Sequence, residues 1–426
     1  MDPRDYAVLT LDELRLPGFT RQAFKRRSPV PPGDPRDRAL GETLVAGVVK
    51  NLILLDTLVE IYAKRPISQI DNRARLILLV AVAQIRLLDR VPDHALVMEA
   101  VHQTRRLKEP GLAKASGFVN AVLREAVKRP DLSDRLPSRD NAEEYAHVVL
   151  SHPRPLVERL IALLGPADAL RFAEHDNRTP PTLARLIGDA TPEALASEGL
   201  GVTPHEQPGI AVVTGAKQKD FAAWADAGLA QVQDATSAAV VGHLDVRPGM
   251  TVLDRCSGVG TKTRQLAEAV GEGGRVFAVD ASGKRISTLR RALNGRPVVA
   301  KRAEWAAEFP DDWPTAFDRI LIDAPCSNSG VLARRPEARY AQTDHEELAA
   351  LQAKILADAW PLLAPGGLLA YATCSVWPEE NDAIVDAFAA ATPGAETVDR
   401  AAWLPSFETD DPTRYRDGGY VAVLRK

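Results

Sequence analysis

From residue 36 to about residue 130 the apolar positions recur with helical spacing. Leu44, Val48, Leu52, Leu55 and Val59 step by three and four residues, which places them on one helix face. The run from Arg75 to Leu88 is apolar nearly all round, the pattern of a central buried helix. Pro92 and Pro110 punctuate the loops between helices. The polar stretch from Asp131 to Glu144 reads as a linker. Short alternations follow: TLARLI, helix-like TPEALASEGL, IAVV, DFAAWADAG and AQVQD, which together predict a small α+β module. From Gly249 the pattern changes again. Strand-like TVLD, RVFAVD, VVAK, RILID and LLAYATC alternate with helical runs such as KTRQLAEAV and KRISTLRRAL. Such alternation predicts a doubly wound, mostly parallel sheet. Thr343 with Glu346 fits a capping box opening the long helix, and Gly366 with Gly367 supplies the turn into the next strand.

Composition narrows the class. The apolar share of 45% and charged share of 26% are those of a soluble globular protein, and 426 residues suffice for two or three domains. A net charge of −4 means that a nucleic-acid role needs a local basic face. Arg105, Arg106, Lys108, Lys114, Arg124, Lys128 and Arg129 gather late in the helical region, as either a solvated surface or a phosphate-tracking patch. The first residues carry acids among few apolar positions, unlike a signal peptide. The most apolar stretch, LILLVAVAQIRLL, is too short for a membrane span and contains Arg86. A cytosolic protein is expected, with no membrane partner.

The chain has three cysteines, too few and too dispersed for a disulfide framework. Cys256 precedes a glycine loop, Cys326 follows one strand in Asp323-Ala-Pro-Cys326-Ser, and Cys374 follows another in Ala-Thr-Cys374-Ser. Free cysteine is mostly a small buried hydrophobe, the plain reading for Cys256. Ligands of doubly wound sheets bind beyond the carboxyl ends of the strands, where Cys326, Cys374 and Asp323 are expected to share one crevice with the loop. That loop, Cys256-Ser257-Gly258-Val259-Gly260-Thr261-Lys262, lacks the third glycine of the dinucleotide fingerprint, and it fails as a phosphate loop. An adenosine-containing ligand without a pyrophosphate fits it better. Asp280 ends the second strand about twenty residues on, where an acid binds ribose hydroxyls, and Arg285 lies just beyond in the same candidate cofactor set. No histidine spacing resembles a zinc ligand pair, so no metal is expected.

FDRILIDAPCSNSGVLARRPEARY and LLAYATCSVWPEEN closely resemble the two cysteine signatures of the RNA 5-methylcytosine methyltransferases. DRALGETLVAGVVKNLILLDTLVE and the helices through VNAVLREAVKR resemble a NusB-like RNA-binding domain, fused to the catalytic domain in the bacterial 16S rRNA (cytosine-5) methyltransferase B group. QDATSAAVV and DGGYVAVLRK fit the same group. The resemblance implies a Rossmann-like methyltransferase domain over 236–426, preceded by an all-helical NusB-like domain over 1–140 and a small α+β module over 141–235. It implies S-adenosyl-L-methionine as cofactor, RNA as partner (16S rRNA, or tRNA as alternative) and action as a monomer. Cys374 is then the nucleophile at cytosine carbon-6, and Cys326 assists product release. Asp323 hydrogen-bonds the ring at N3, carrying a proton when it donates, and Lys262 lies near base and cofactor. Residues Cys256 to Lys262, Asp280, Arg285 and Asp323 line the cofactor site. Arg334, Arg335 and Arg339 contact RNA phosphates or pair with acids. Two departures stand out: Ser257-Gly258-Val259-Gly260-Thr261 replaces the family's Ala-Ala-Pro-Gly-Gly, and Lys301 occupies the place of an acid near the adenine, with Glu304 as a substitute. A non-catalytic RNA-binding protein with a drifted cofactor loop is the rival reading.

Overall fold

The computed structural model describes residues 1–14, 29–87, 92–196 and 199–426. Leu88, the end of the opening segment and part of TPEALASEGL lie outside them. The chain divides into two compact units, Met1–Arg178 with Arg335–Ala341, and Thr179–Arg334 with Gln342–Lys426.

The first unit is helical. Its central helix, Asn72–Leu87, buries every residue from Leu76 to Ala83, as its all-round apolar pattern requires. The apolar stripe from Leu44 to Val59 is buried but crosses two helices, Pro35–Lys50 and Leu52–Ala63, which break at Asn51. A further helix, Pro3–Glu13, was not read from the apolar spacing. Asp2 caps it and Pro3 opens it, and Ala7, Val8, Leu9 and Leu11 enter the core. The segment 131–144 holds only short helical turns, and the helices Arg154–Leu164 and Pro166–Asn177 follow it.

The second unit carries two sheets. Thr182–Leu186 (β1), Gly201–Pro204 (β2), Ile210–Thr214 (β3) and Ala230–Val232 (β4) form an antiparallel sheet in the order β2-β3-β1-β4. Then come Thr251–Asp254 (β5), Arg275–Asp280 (β6), Val298–Arg302 (β7), Phe317–Asp323 (β8), Leu363–Thr373 (β9), Glu396–Trp403 (β10) and Gly419–Arg425 (β11). They build a seven-stranded sheet in the order β10-β11-β9-β8-β5-β6-β7. β5 to β9 pair in parallel, whereas β11 and β10 are antiparallel. The chain winds from β5 outward to β7, returns to β8, and leaves a topological switch point between β5 and β8.

Two local expectations are corrected. Asp344, not Thr343, caps the His345–Ala359 helix, its carboxylate accepting from the Glu347 amide at 3.0 Å. Gly366 and Gly367 lie inside β9, at a register shift against β8, and not in a turn before it.

Candidate active site

The crevice above the switch point is built from four strand ends. β5 runs into the loop Arg255–Gly260 and the helix Thr261–Val270. Gly260, at φ +98°, opens that helix without a side-chain cap, and a Cβ there would come within 2.9 Å of Leu289 Cγ. Glycine is therefore required by both backbone and packing. The helix presents its N-terminus, with its partial positive charge, at the carboxyl edge of the sheet.

Lys262 reaches from this helix to Asp323 at the end of β8, with Nζ donating to Oδ2 at 2.7 Å. Burial pulls the Lys262 ammonium down, but the charge and hydrogen bond of Asp323 outweigh it and the net shift is upward. Asp323 is opposite Ala372 on the parallel neighbour β9, so the segments after both strands emerge side by side. Their thiols meet: Cys326 Sγ and Cys374 Sγ are 3.1 Å apart. The hydrogen bond to Cys326, then burial, then the charges of Cys326 and Asp323 push the Cys374 thiol well up, with Lys262 opposing. At rest Cys374 therefore holds its proton at neutral pH. Cys256 is half-buried and packs against the apolar core, and burial pushes its thiol up to about 12.

A buried polar cluster, unread in the sequence, supports the two thiol loops. Glu380 is fully buried and accepts from the Ser327 amide at 2.8 Å, Ser375 Oγ at 3.0 Å and Gln352 Nε2 at 3.2 Å. Ser329 Oγ lies 3.0 Å from Ser375 Oγ and accepts from the Val376 amide at 3.0 Å. Gly330 donates to the Cys374 carbonyl at 2.9 Å, and a Cβ on Gly330 would sit 2.7 Å from Gly418 carbon. One carboxylate and one glycine contact thus lock the register of both loops. The only sequence hint was the PEEN run after Cys374, which carries no chemistry by itself.

At the cofactor end, Asp280 is buried at the end of β6. Its Oδ2 accepts from the Gly258 amide at 3.0 Å and its Oδ1 from the Ser282 amide at 2.8 Å. Arg285 Nη1 stands 3.5 Å from Oδ2. Ser257 is tied to the Val279 carbonyl, and Val259 stands 53% exposed at the loop tip, an apolar surface open to a ligand. Asp254 is fully buried, accepts from Thr263 Oγ1 at 2.7 Å, and is pushed by burial up to about 7.

The chain matches the family model for 16S rRNA methyltransferase RsmB/F over residues 241–410 and that of the NusB family over residues 1–128. It is 33% identical over 372 residues to ribosomal RNA small subunit methyltransferase B of Salmonella arizonae, covering 84% of this chain and 83% of that protein. The like-named protein of Pseudomonas putida is 33% identical over 381 residues, covering 86% and 84%.

The chain belongs to the RsmB/F methyltransferase family.

It is an RNA methyltransferase that uses S-adenosylmethionine. The fold agrees: the crystal structure of PH0851 superposes with a TM-score of 0.77 at 24% identity, over 100% of this chain and 99% of that one. A methyltransferase homologue from Pyrococcus horikoshii gives 0.53 at 24% identity, over 66% and 97%. Within this RsmB/F member the cofactor end fits the methyl donor. The uncapped helix at Gly260 suits a carboxylate, the exposed Val259 suits an apolar face, and Asp280 keeps acceptor capacity for a ribose hydroxyl.

Of the three arginines after the first cysteine signature, one needs correction. Arg334 Nε donates to Asp417 at 2.7 Å, and its Nη2 pairs with Asp234 at 3.4 Å. Arg339 is buried in the first unit, donating to the Asp176 carbonyl at 2.6 Å and Asn177 Oδ1 at 2.7 Å. Arg339 is thus a buried structural tie, whereas Arg334 stays exposed and pairs with two acids, one of the two outcomes expected for it. Arg335 is exposed. Of the basic residues in the helical unit, Arg106 is committed to Asp5 at 2.7 Å and Glu99 at 2.6 Å, while Arg105, Lys108, Lys114, Arg124, Lys128 and Arg129 are exposed. Lys301, near the end of β7, and Glu304, just after it, are both exposed. Among the described residues no helix is long and apolar enough to cross a membrane.

Proposed function

We propose that this RNA methyltransferase methylates carbon-5 of a cytosine in 16S rRNA through a covalent adduct between Cys374 and carbon-6. The reading rests on one observation above all: two cysteines after adjacent parallel strands place their sulfurs 3.1 Å apart, beside the Lys262–Asp323 pair. Carbon-5 of cytosine is too weak a nucleophile to take a methyl group unaided. Addition of Cys374 sulfur to carbon-6 makes it enamine-like.

The proton balance assigns the roles. Cys374 must lose its proton before adding, and ring N3 must gain one as the adduct forms. Asp323 relays that proton, taking it on the thiol side and donating it at N3, while the Lys262 ammonium holds the carboxyl in place. The sulfonium of S-adenosylmethionine supplies an electrophilic methyl to carbon-5. Product release then needs a base at carbon-5: Cys326, acting as its thiolate, accepts that proton, Cys374 leaves carbon-6 with the bonding pair as a thiolate, and the N3 proton returns to Asp323. Loop residues Cys256 to Lys262 with Asp280 and Arg285 hold the cofactor. The target base is unstacked to reach the crevice. The NusB-like region, about residues 1–140, binds RNA through its exposed basic residues, and the small α+β module of 141–235 joins it to the catalytic region of 236–426.

The test is methyl transfer from labelled cofactor to unmodified 16S rRNA and to bulk tRNA, followed by nucleoside analysis. Label in 5-methylcytidine from rRNA alone is expected. Label in another nucleoside would sink the proposed chemistry, and label from tRNA alone the proposed target.

A further inference from the structure

Asn328 lies between the two thiol-bearing residues and has no part in the chemistry above. It is in the left-handed region, at φ +61°, a conformation that asparagine tolerates better than other residues with a side chain. Its Nδ2 donates to the Cys326 carbonyl at 3.0 Å, and its Oδ1 accepts from Cys374 Sγ at 3.4 Å. The orientation of the amide is determined by chemistry. The Cys326 carbonyl can only accept, so the NH2 group must face it and the oxygen must face the thiol.

We propose that Asn328 is a positioning residue: it directs the S–H of Cys374 and holds the nucleophile as a thiol until substrate arrives. The inference rests on the reading of Cys374 as nucleophile. A neutral oxygen acceptor stabilises the thiol and not the thiolate. The titratable groups facing Cys374 are Cys326 and Asp323 at the end of β8, which act in the same direction, and Lys262 from the Thr261–Val270 helix, which opposes them. Asn328 differs from all three because it carries no charge and contacts both thiol loops at once. Cys374 is thereby aimed and Cys326 is kept beside it.

The experiment is the pH dependence of Cys374 alkylation by iodoacetamide in the full chain, read peptide by peptide by mass spectrometry. Asn328→Gly suits the left-handed backbone and removes only the side chain. Its midpoint for Cys374 should fall by about half a pH unit, the size expected for loss of one weak hydrogen bond. Asn328→Asp keeps the acceptor and adds charge, so its midpoint should rise. Opposite shifts from one position do not arise from loosening, and an unchanged Cys256 profile reports an intact fold. With RNA, Asn328→Gly should lower kcat several-fold with KM unchanged. An unmoved Cys374 midpoint in Asn328→Gly, a shift of the same sign in both variants, or an unchanged kcat overturns the proposal. Turnover that survives Cys374→Ala would instead remove the nucleophile reading and leave the alkylation result standing.

Discussion

Glu380 offers the sharpest test of how the fold builds the site, because its burial and partners allow the loss to be estimated. Replacing it with alanine removes the acceptor of three donors. Ser375 Oγ can turn to Ser329, and Gln352 Nε2 already donates to the Pro325 carbonyl at 2.9 Å, so each of these loses about 1 kcal/mol. The Ser327 amide has no such second acceptor in the cluster, and its stranding inside the protein costs about 1–3 kcal/mol. Glu380→Ala should thus destabilise the second unit by roughly 3–5 kcal/mol, and the isosteric Glu380→Gln by less. All six tryptophans lie in that unit, so urea unfolding followed by tryptophan fluorescence reports on it alone. Glu380→Gln should also lower kcat, since the segments bearing Cys326 and Cys374 share this anchor. A loss below about 1 kcal/mol in Glu380→Ala, with kcat unchanged, would refute the claim that the carboxylate sets the register of the two thiol loops.

Other outcomes follow from the same geometry. Cys326→Ala leaves the adduct without its base, so a covalent protein–RNA species that is sensitive to RNase should accumulate through Cys374; its absence would count against the two-thiol scheme. Asp280→Ala removes the acceptor that ties Gly258 and Ser282, and should raise KM for S-adenosylmethionine more than KM for RNA; equal changes would deny it a cofactor role. Asp254 has a folded-state pKa raised to about 7 from 3.8, so the folded form binds the extra proton and stability falls as pH rises between those values. Asp254→Asn should therefore gain stability over the unaltered protein on going from pH 4 to pH 8, by an amount on the order of 4 kcal/mol, and a parallel pH profile of the two would contradict this.

Much of this was legible in the sequence, for physical reasons. The alternation of apolar strands and helices forces a doubly wound sheet, and such a sheet brings the ends of its parallel strands together, so Asp323, Cys326 and Cys374 could be gathered before any coordinates. The helical unit was visible because its central helix is apolar all round. What escaped depends on partners remote in sequence. Arg339 looks like a phosphate ligand in a basic motif, yet its acceptor, the Asp176 carbonyl, lies 163 residues away, and the acid that Arg334 meets, Asp417, lies 83 residues away. Glu380 reads as a surface acid in a PEEN run until the fold surrounds it with serines. The break at Asn51 is silent because the apolar period continues across it.

The most direct measurement is transfer of label from S-adenosylmethionine to unmodified 16S rRNA by the intact chain and by Cys374→Ala, with cofactor binding measured on both. 5-Methylcytidine is expected from the intact chain only, with cofactor binding nearly equal in the two. Substantial 5-methylcytidine from Cys374→Ala would contradict this.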